Sequence, residues 1–174
     1  PHAERGSISP LRFIPVAEDT GQIVPISQWV LVTACSHQRR LLDQGLAAGV
    51  VSVNISAVHF LRQAFVGTVQ RSLEHSGLPA HLLELEITET VLLKDAERAI
   101  QLLRELKALG VGIALDDFGT GYSSLSYLKD LPIDKVKIDR SFVHELISDQ
   151  RDAAITQGII SMAHHLDLKV VAEG

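Results

Sequence analysis

Five short runs of aliphatic and β-branched residues, each carrying polar or charged side chains to its end, constrain this chain more than any other feature. They are Val50-Val51-Ser52-Val53-Asn54-Ile55-Ser56, Leu83-Glu84-Leu85-Glu86-Ile87-Thr88-Glu89, Val111-Gly112-Ile113-Ala114-Leu115 followed by Asp116-Asp117, Asp134-Lys135-Val136-Lys137-Ile138-Asp139 and Lys169-Val170-Val171-Ala172-Glu173-Gly174. Strand-sized runs alternating with helical stretches predict an α/β fold with a parallel sheet whose crossovers share one hand. The terminal polar residues recur at similar intervals, at positions 54, 86, 116, 137 and 173. Tips loaded on strand after strand fit the C-terminal rim of a TIM-like (β/α) barrel better than a doubly wound sheet, where ligands gather at one switch point. Such a barrel has eight units, of which this chain holds about five, and nothing divides residues 1–174 into two domains.

The strand elements are joined by recognisable helices. Residues 1–22 read as a loop punctuated by Gly6, Pro10 and Pro15, and a helix is expected from Ile23 to Gln44 with Gly45 as its stop. A second helical stretch ends at Gly77. Asp95 is placed to cap a helix running to Leu109, with Ala99, Ile100, Leu103 and Leu106 inward and Gly110 after it. Ser124 to Lys129 can form a short helix. The last helix carries Ile155, Ile159, Met162 and Leu166 at helical spacing.

Composition excludes several functions. A hydrophobic content of 46% over 174 residues supplies one sizeable core, and no apolar run is long enough to span a membrane. A net charge of -5 argues against a surface that tracks long nucleic acid, but permits a small anionic ligand held through metal. The single cysteine, Cys35, lies in an apolar helical pattern and is expected to pack rather than react, in a reducing, cytoplasmic setting. His164 and His165 face different ways, and His144-Glu145 lacks the second histidine of a zinc-protease helix. With Pro1 first and Met162 the only methionine, the polypeptide is expected to continue upstream.

The chemistry concentrates at the strand ends. On an extended chain Asp116 and Asp117 would point to opposite sides; by themselves they could simply open a turn before Gly119. Side by side on a rim, however, Asn54, Glu86, Asp116, Asp117 and Glu173 form an oxygen-rich basin, and carboxylates so crowded call for a cation. Oxygen ligation without Cys points to Mg²⁺ or Mn²⁺, and two such ions could activate water and steady a leaving oxygen. Lys137 could orient that water or neutralise a phosphate oxygen, or simply pair with a neighbouring carboxylate. Glu89 could hold the Gly119-Thr120-Gly121 loop as a gate, or be an ordinary first-turn helix residue. Metal-assisted hydrolysis ranks first on this pattern, proton abstraction of the enolase type second and a non-catalytic barrel third.

The motifs Val53-Asn54-Ile55-Ser56, Glu86-Ile87-Thr88-Glu89-Thr90, Asp116-Asp117-Phe118-Gly119-Thr120-Gly121-Tyr122-Ser123-Ser124-Leu125, Lys137-Ile138-Asp139-Arg140-Ser141-Phe142-Val143 and Ala172-Glu173-Gly174 resemble, in order, those of the EAL domain. The opening Gly6-Ser7-Ile8-Ser9-Pro10 with Phe13-Ile14-Pro15 is similar to the segment after that family's name-giving motif. The resemblance implies hydrolysis of cyclic di-GMP to linear pGpG with Mg²⁺ or Mn²⁺. It implies metal ligation, directly or through water, by Asn54, Glu86, Asp116, Asp117 and Glu173. Lys137 would contact the nucleophilic water, Pro10 and Asp139 would lie at the substrate, and Glu89 would organise the Asp117 to Ser124 loop, which is also associated with dimerisation. Sensory or cyclase-type (GGDEF) neighbours, and a membrane anchor elsewhere in the parent protein, are compatible with it. The alternative is a receptor that binds cyclic di-GMP without cutting it, which has no chemical need for Lys137 or Glu173. Because the Glu-Ala-Leu segment and the last two strands fall outside Pro1 to Gly174, these 174 residues alone are not expected to hydrolyse the substrate.

Overall fold

The computed structural model describes residues 6, 8–46, 49–119, 128–144 and 150–173. Its centre is a sheet of β1 (Val51–Ile55), β2 (Leu83–Thr88), β3 (Gly112–Phe118), β4 (Lys135–Ile138) and β5 (Lys169–Ala172), ordered β1-β2-β3-β4-β5. All four pairings are parallel. Each strand lies beside its predecessor in the chain, with no reversal of direction. That sequential order belongs to a TIM-like barrel and removes the doubly wound alternative.

Period-two alternation divides the sheet into two chemically distinct faces. Val53, Ile55, Leu85, Ile87, Leu115 and Val136 point to one side and are buried against the helices. The helices supply matching stripes at three- and four-residue spacing. They are Leu31 and Cys35 from α2 (Ile23–Asp43), Phe65 and Val69 from α4 (Phe65–Ser76), and Ala99, Leu103 and Leu106 from α6 (Ala96–Leu109). Cys35 is fully buried there, and burial pushes its thiol up to about 11, in keeping with a packing role. The short α3 (Ala57–Phe60) follows β1, capped by Ser56, whose hydroxyl accepts from the Val58 amide. Buried His59 in α3 is satisfied by Ser27 of α2 at 2.8 Å.

The opposite face is polar. Ser52, Glu84 and Gly112 stand in one row, and Asn54, Glu86, Ala114 and Lys135 in the next. Glu84 accepts from the Ser52 hydroxyl at 2.9 Å and from Lys135 at 2.8 Å. Gly112 on β3 lies against this group: a Cβ built there would sit in ordinary van der Waals contact with the Glu84 stem, at 3.6 Å. At the start of the strands, Asp134 pairs with Lys107 at 2.7 Å and accepts from the Ile113 amide at 2.8 Å, which aligns β3 with β4.

Three expectations need correction. Pro10–Asp19 is a helix, α1, rather than a loop: Pro10 occupies its first position, where a missing N–H costs nothing, and Pro15 interrupts only one later bond. On α6 the buried set includes Leu102, whereas Ile100 packs at the margin. After β4 the described residues hold helix in α7 (Arg140–His144) and α8 (Gln150–His165). On α8, Ile155 is exposed while Thr156 and Ile159 turn inward. The expected helix from Ser124 to Lys129 and the loop beyond Gly119 lie largely outside the described residues. Among the described residues no helix is long and apolar enough to cross a membrane.

Candidate active site

The acidic pair at the end of β3 is built by a break in the ladder. Leu115 pairs with Val136 and Phe118 with Ile138, so Asp116 and Asp117 together oppose the single residue Lys137. Asp117 takes a positive φ of 54°, and its amide donates to the Asp116 carboxylate at 3.0 Å. This bulge overturns the expectation that the two aspartates point to opposite sides. An extra residue in one strand cancels the alternation locally, so both carboxylates emerge on the polar face. Ligand oxygens of Asp116, Asp117 and Glu173 lie within 4.8 Å of one another. Glu173 gets there because its amide donates to the Ile138 carbonyl at 3.1 Å, which continues the β4–β5 ladder one residue past Ala172.

Lys137 is the electrostatic centre of this group. Its Nζ lies 2.6 Å from Glu173, 2.9 Å from Glu86 and 3.0 Å from Asp116, carboxylates from β2, β3 and the residue after β5. Burial on its own would lower the lysine pKa; hydrogen bonds to Glu173, Glu86 and Asp116 outweigh it and hold the group above its ordinary value. Lys137 is therefore a permanent cation at neutral pH. Asp117 is pushed the other way for an acid: burial, and then the negative charges of Asp116, Asp139 and Glu173, raise its carboxyl above the ordinary range. Asp139 is held below that range by hydrogen bonds from the Ser141 hydroxyl and amide.

The remaining candidates surround this core. Asn54 is in register with Glu86 and projects from the same face, but is exposed and lines a cavity of about 730 Å³ shared with Pro10, Phe13, Ser56 and Thr88. Pro10 and Asn54 thus meet across one opening, between α1 and the β1 edge. Asp139, just beyond β4, lies within hydrogen-bonding reach of Asp117. Glu89 is buried, and its carboxylate accepts from the Gly119 amide at 3.0 Å. It therefore reaches across to the β3 exit rather than serving only the first turn of α5 (Thr90–Lys94).

The Ser52, Glu84 and Lys135 group beneath the rim was not anticipated, although the period-two carboxylates of Leu83-Glu84-Leu85-Glu86 signalled it. Nor was the close packing of Gly119. It has a φ of 100°, and a built Cβ would lie 2.8 Å from Cε2 of Phe142.

Sequential parallel strands with a polar cluster at their C-terminal ends define a protein of the TIM-barrel class. The model of the EAL domain family matches residues 1–174, and this chain belongs to that family. It is 48% identical over 174 residues to the bifunctional diguanylate cyclase/cyclic di-GMP phosphodiesterase MucR of Pseudomonas aeruginosa, covering 99% of this chain and 25% of that protein. To the cyclic di-GMP phosphodiesterase NbdA of the same organism it is 47% identical over 173 residues, covering 99% of this chain and 22% of that protein. The chain thus spans about a quarter of the length of these curated relatives. Among solved structures, the PaMucR phosphodiesterase in complex with c-di-GMP superposes with a TM-score of 0.95 at 47% identity, covering 99% of this chain and 70% of that one.

Proposed function

We propose that this chain is the catalytic region of a metal-dependent phosphodiesterase that opens cyclic di-GMP to linear pGpG. The observation that carries this reading is the convergence of Asp116, Asp117 and Glu173 oxygens within 4.8 Å, against the Lys137 ammonium. The names of MucR and NbdA, and the c-di-GMP complex of PaMucR, support the choice of substrate.

The donor set fits a hard divalent cation. It is all oxygen, and it is crowded enough to raise the Asp117 pKa through burial and its negative neighbours. Asp116, Asp117 and Glu173 would hold Mg²⁺ or Mn²⁺, with Glu86 and Asn54 extending the set toward a second ion. Bound divalent cations supply Lewis acidity to a phosphoryl oxygen and make water a stronger acid. Lys137 carries its positive charge among these carboxylates. It donates to the attacking water or to a phosphate oxygen and so fixes the line of attack. Asp139, just beyond β4, and Pro10, which shares the cavity at the β1 edge with Asn54, are assigned to the nucleotide, while Glu89 sets the β3 exit by holding Gly119.

The parent protein is proposed to place this domain beside sensory or cyclase-type domains and to act as a homodimer. The test uses the full-length protein with cyclic di-GMP and Mg²⁺ or Mn²⁺, with separation of the nucleotide products. Appearance of pGpG is the expected result, lost with a chelator and on Asp116→Asn. Tight binding without turnover would replace this reading with the receptor.

A further inference from the structure

The Asp116-Asp117 bulge is a strained arrangement that something must hold. A positive φ is a disfavoured conformation for a non-glycine residue, and relaxation of Asp117 to ordinary extended backbone would return its side chain to the helix-facing side. Two residues later Gly119 is gripped from two directions. Its amide donates to the buried Glu89 carboxylate at 3.0 Å, and its Cα faces the ring of Phe142 on α7. An added Cβ would come within 2.8 Å of Cε2 and 3.2 Å of Cζ of that ring, with Ile159 of α8 behind at 3.5 Å. The start of α7 touches the same bulge again. Asp139, tied to Ser141 of α7 through its amide, lies in hydrogen-bonding reach of Asp117.

We propose that α7 is a positioning element for the acidic site, and that Phe142 is the residue through which it acts. Its ring is the stop against which Gly119 is set, and this keeps the Asp117 carboxylate beside those of Asp116 and Glu173. Glycine is required at 119 because the ring leaves no space for a side chain and because the backbone is left-handed there. Phe142 touches neither water nor nucleotide in this scheme. The proposal rests on the metal-site reading for its consequence in catalysis, but not for the packing relation itself.

The experiment compares Phe142→Ala and Phe142→Met with the wild type in the full-length protein. It follows amide hydrogen exchange at Phe118 and Gly119, Mn²⁺ affinity by titration calorimetry, and kcat and KM for cyclic di-GMP. Phe142→Ala is expected to speed exchange at Gly119 and weaken Mn²⁺ binding, each by about tenfold, the equivalent of 1.4 kcal/mol. It is expected to lower kcat while KM stays within about threefold, because positioning acts on the transition state more than on ground-state binding. Phe142→Met, which can reach the same space, should restore most of each. If Phe142→Ala does not fold, Phe142→Leu, which withdraws the ring tip from Gly119, takes its place. A folded variant with wild-type exchange at Gly119 overturns the proposal, as does a variant whose melting temperature falls while exchange at Gly119 and Mn²⁺ affinity stay unchanged. If the wild type neither binds Mn²⁺ nor cleaves cyclic di-GMP, the phosphodiesterase reading fails separately, and the exchange result still decides the role of Phe142.

Discussion

Lys137 faces three carboxylates with one positive charge, so the rim is held together and over-charged by the same contacts. Removing one partner of a buried ion pair typically costs about 3–5 kcal/mol, because the other charges stay behind unpaired. Lys137→Met keeps the bulk and removes the charge. In chelator its melting temperature should fall, and divalent ions should recover more stability than they give the wild type, as thermal scans with and without Mn²⁺ would reveal. Activity should fall by at least about a hundredfold. Asp117 behaves in the opposite sense. Its folded pKa is raised, first by burial and then by Asp116, Asp139 and Glu173, so the stabilising form is the protonated one. That contribution is present at low pH and is lost as pH rises through the folded value. Asp117→Asn should accordingly melt a few degrees higher than the wild type at neutral pH in chelator, with the difference shrinking on acidification, while Mn²⁺ affinity falls. A lower melting temperature for Asp117→Asn under those conditions would sink this account.

Among the elements, α6 separates local from tertiary contributions most cleanly. Asp95 caps it, accepting from the Arg98 amide at 3.1 Å, and Gly110 closes it in the left-handed region. Both signals stand in the sequence. Leu103 is fully buried against the sheet. Asp95→Ala should cost about 1 kcal/mol, and Leu103→Ala about 2–5 kcal/mol, measurable by denaturant titration. Equal costs would show that the helix is held by its own turns rather than by its packed face. The first helix was not legible for the opposite reason. Gly6, Pro10 and Pro15 read as loop punctuation, yet Ser9-Pro10 starts α1 and tertiary contact sustains it, with Ala17 buried and Phe13 and Ile14 lining the cavity beside β1.

At the scale of the whole molecule, an apolar helix-facing layer carries a polar inner face whose charge must be neutralised. Ser52, Glu84 and Lys135 satisfy one another below; Glu86, Asp116, Glu173 and Lys137 do so above, with acid in excess. A cation that binds only the folded site stabilises it by mass action, by about 2.7 kcal/mol at a hundred times its dissociation constant. Adding Mn²⁺ or Mg²⁺ to the full-length protein should therefore raise its melting temperature with concentration, and Glu173→Gln should flatten that response. A melting temperature indifferent to divalent ions would remove the metal site.

The order of the five strands and of the main helices between them, and the placing of polar side chains at successive strand ends, were determined by the sequence alone, because periodicity, caps and glycine stops are local signals. So was the inventory of carboxylates at 86, 116, 117 and 173. The side of the sheet on which each of them emerges was decided only by tertiary structure. Asp116 and Asp117 share a face because β4 offers Lys137 alone opposite them and Gly119 is wedged between Glu89 and Phe142. Register and bulges depend on partners 20 to 30 residues away. A single strand read by itself carries only its alternation, and here the neighbouring strand breaks that alternation where the chemistry is assembled.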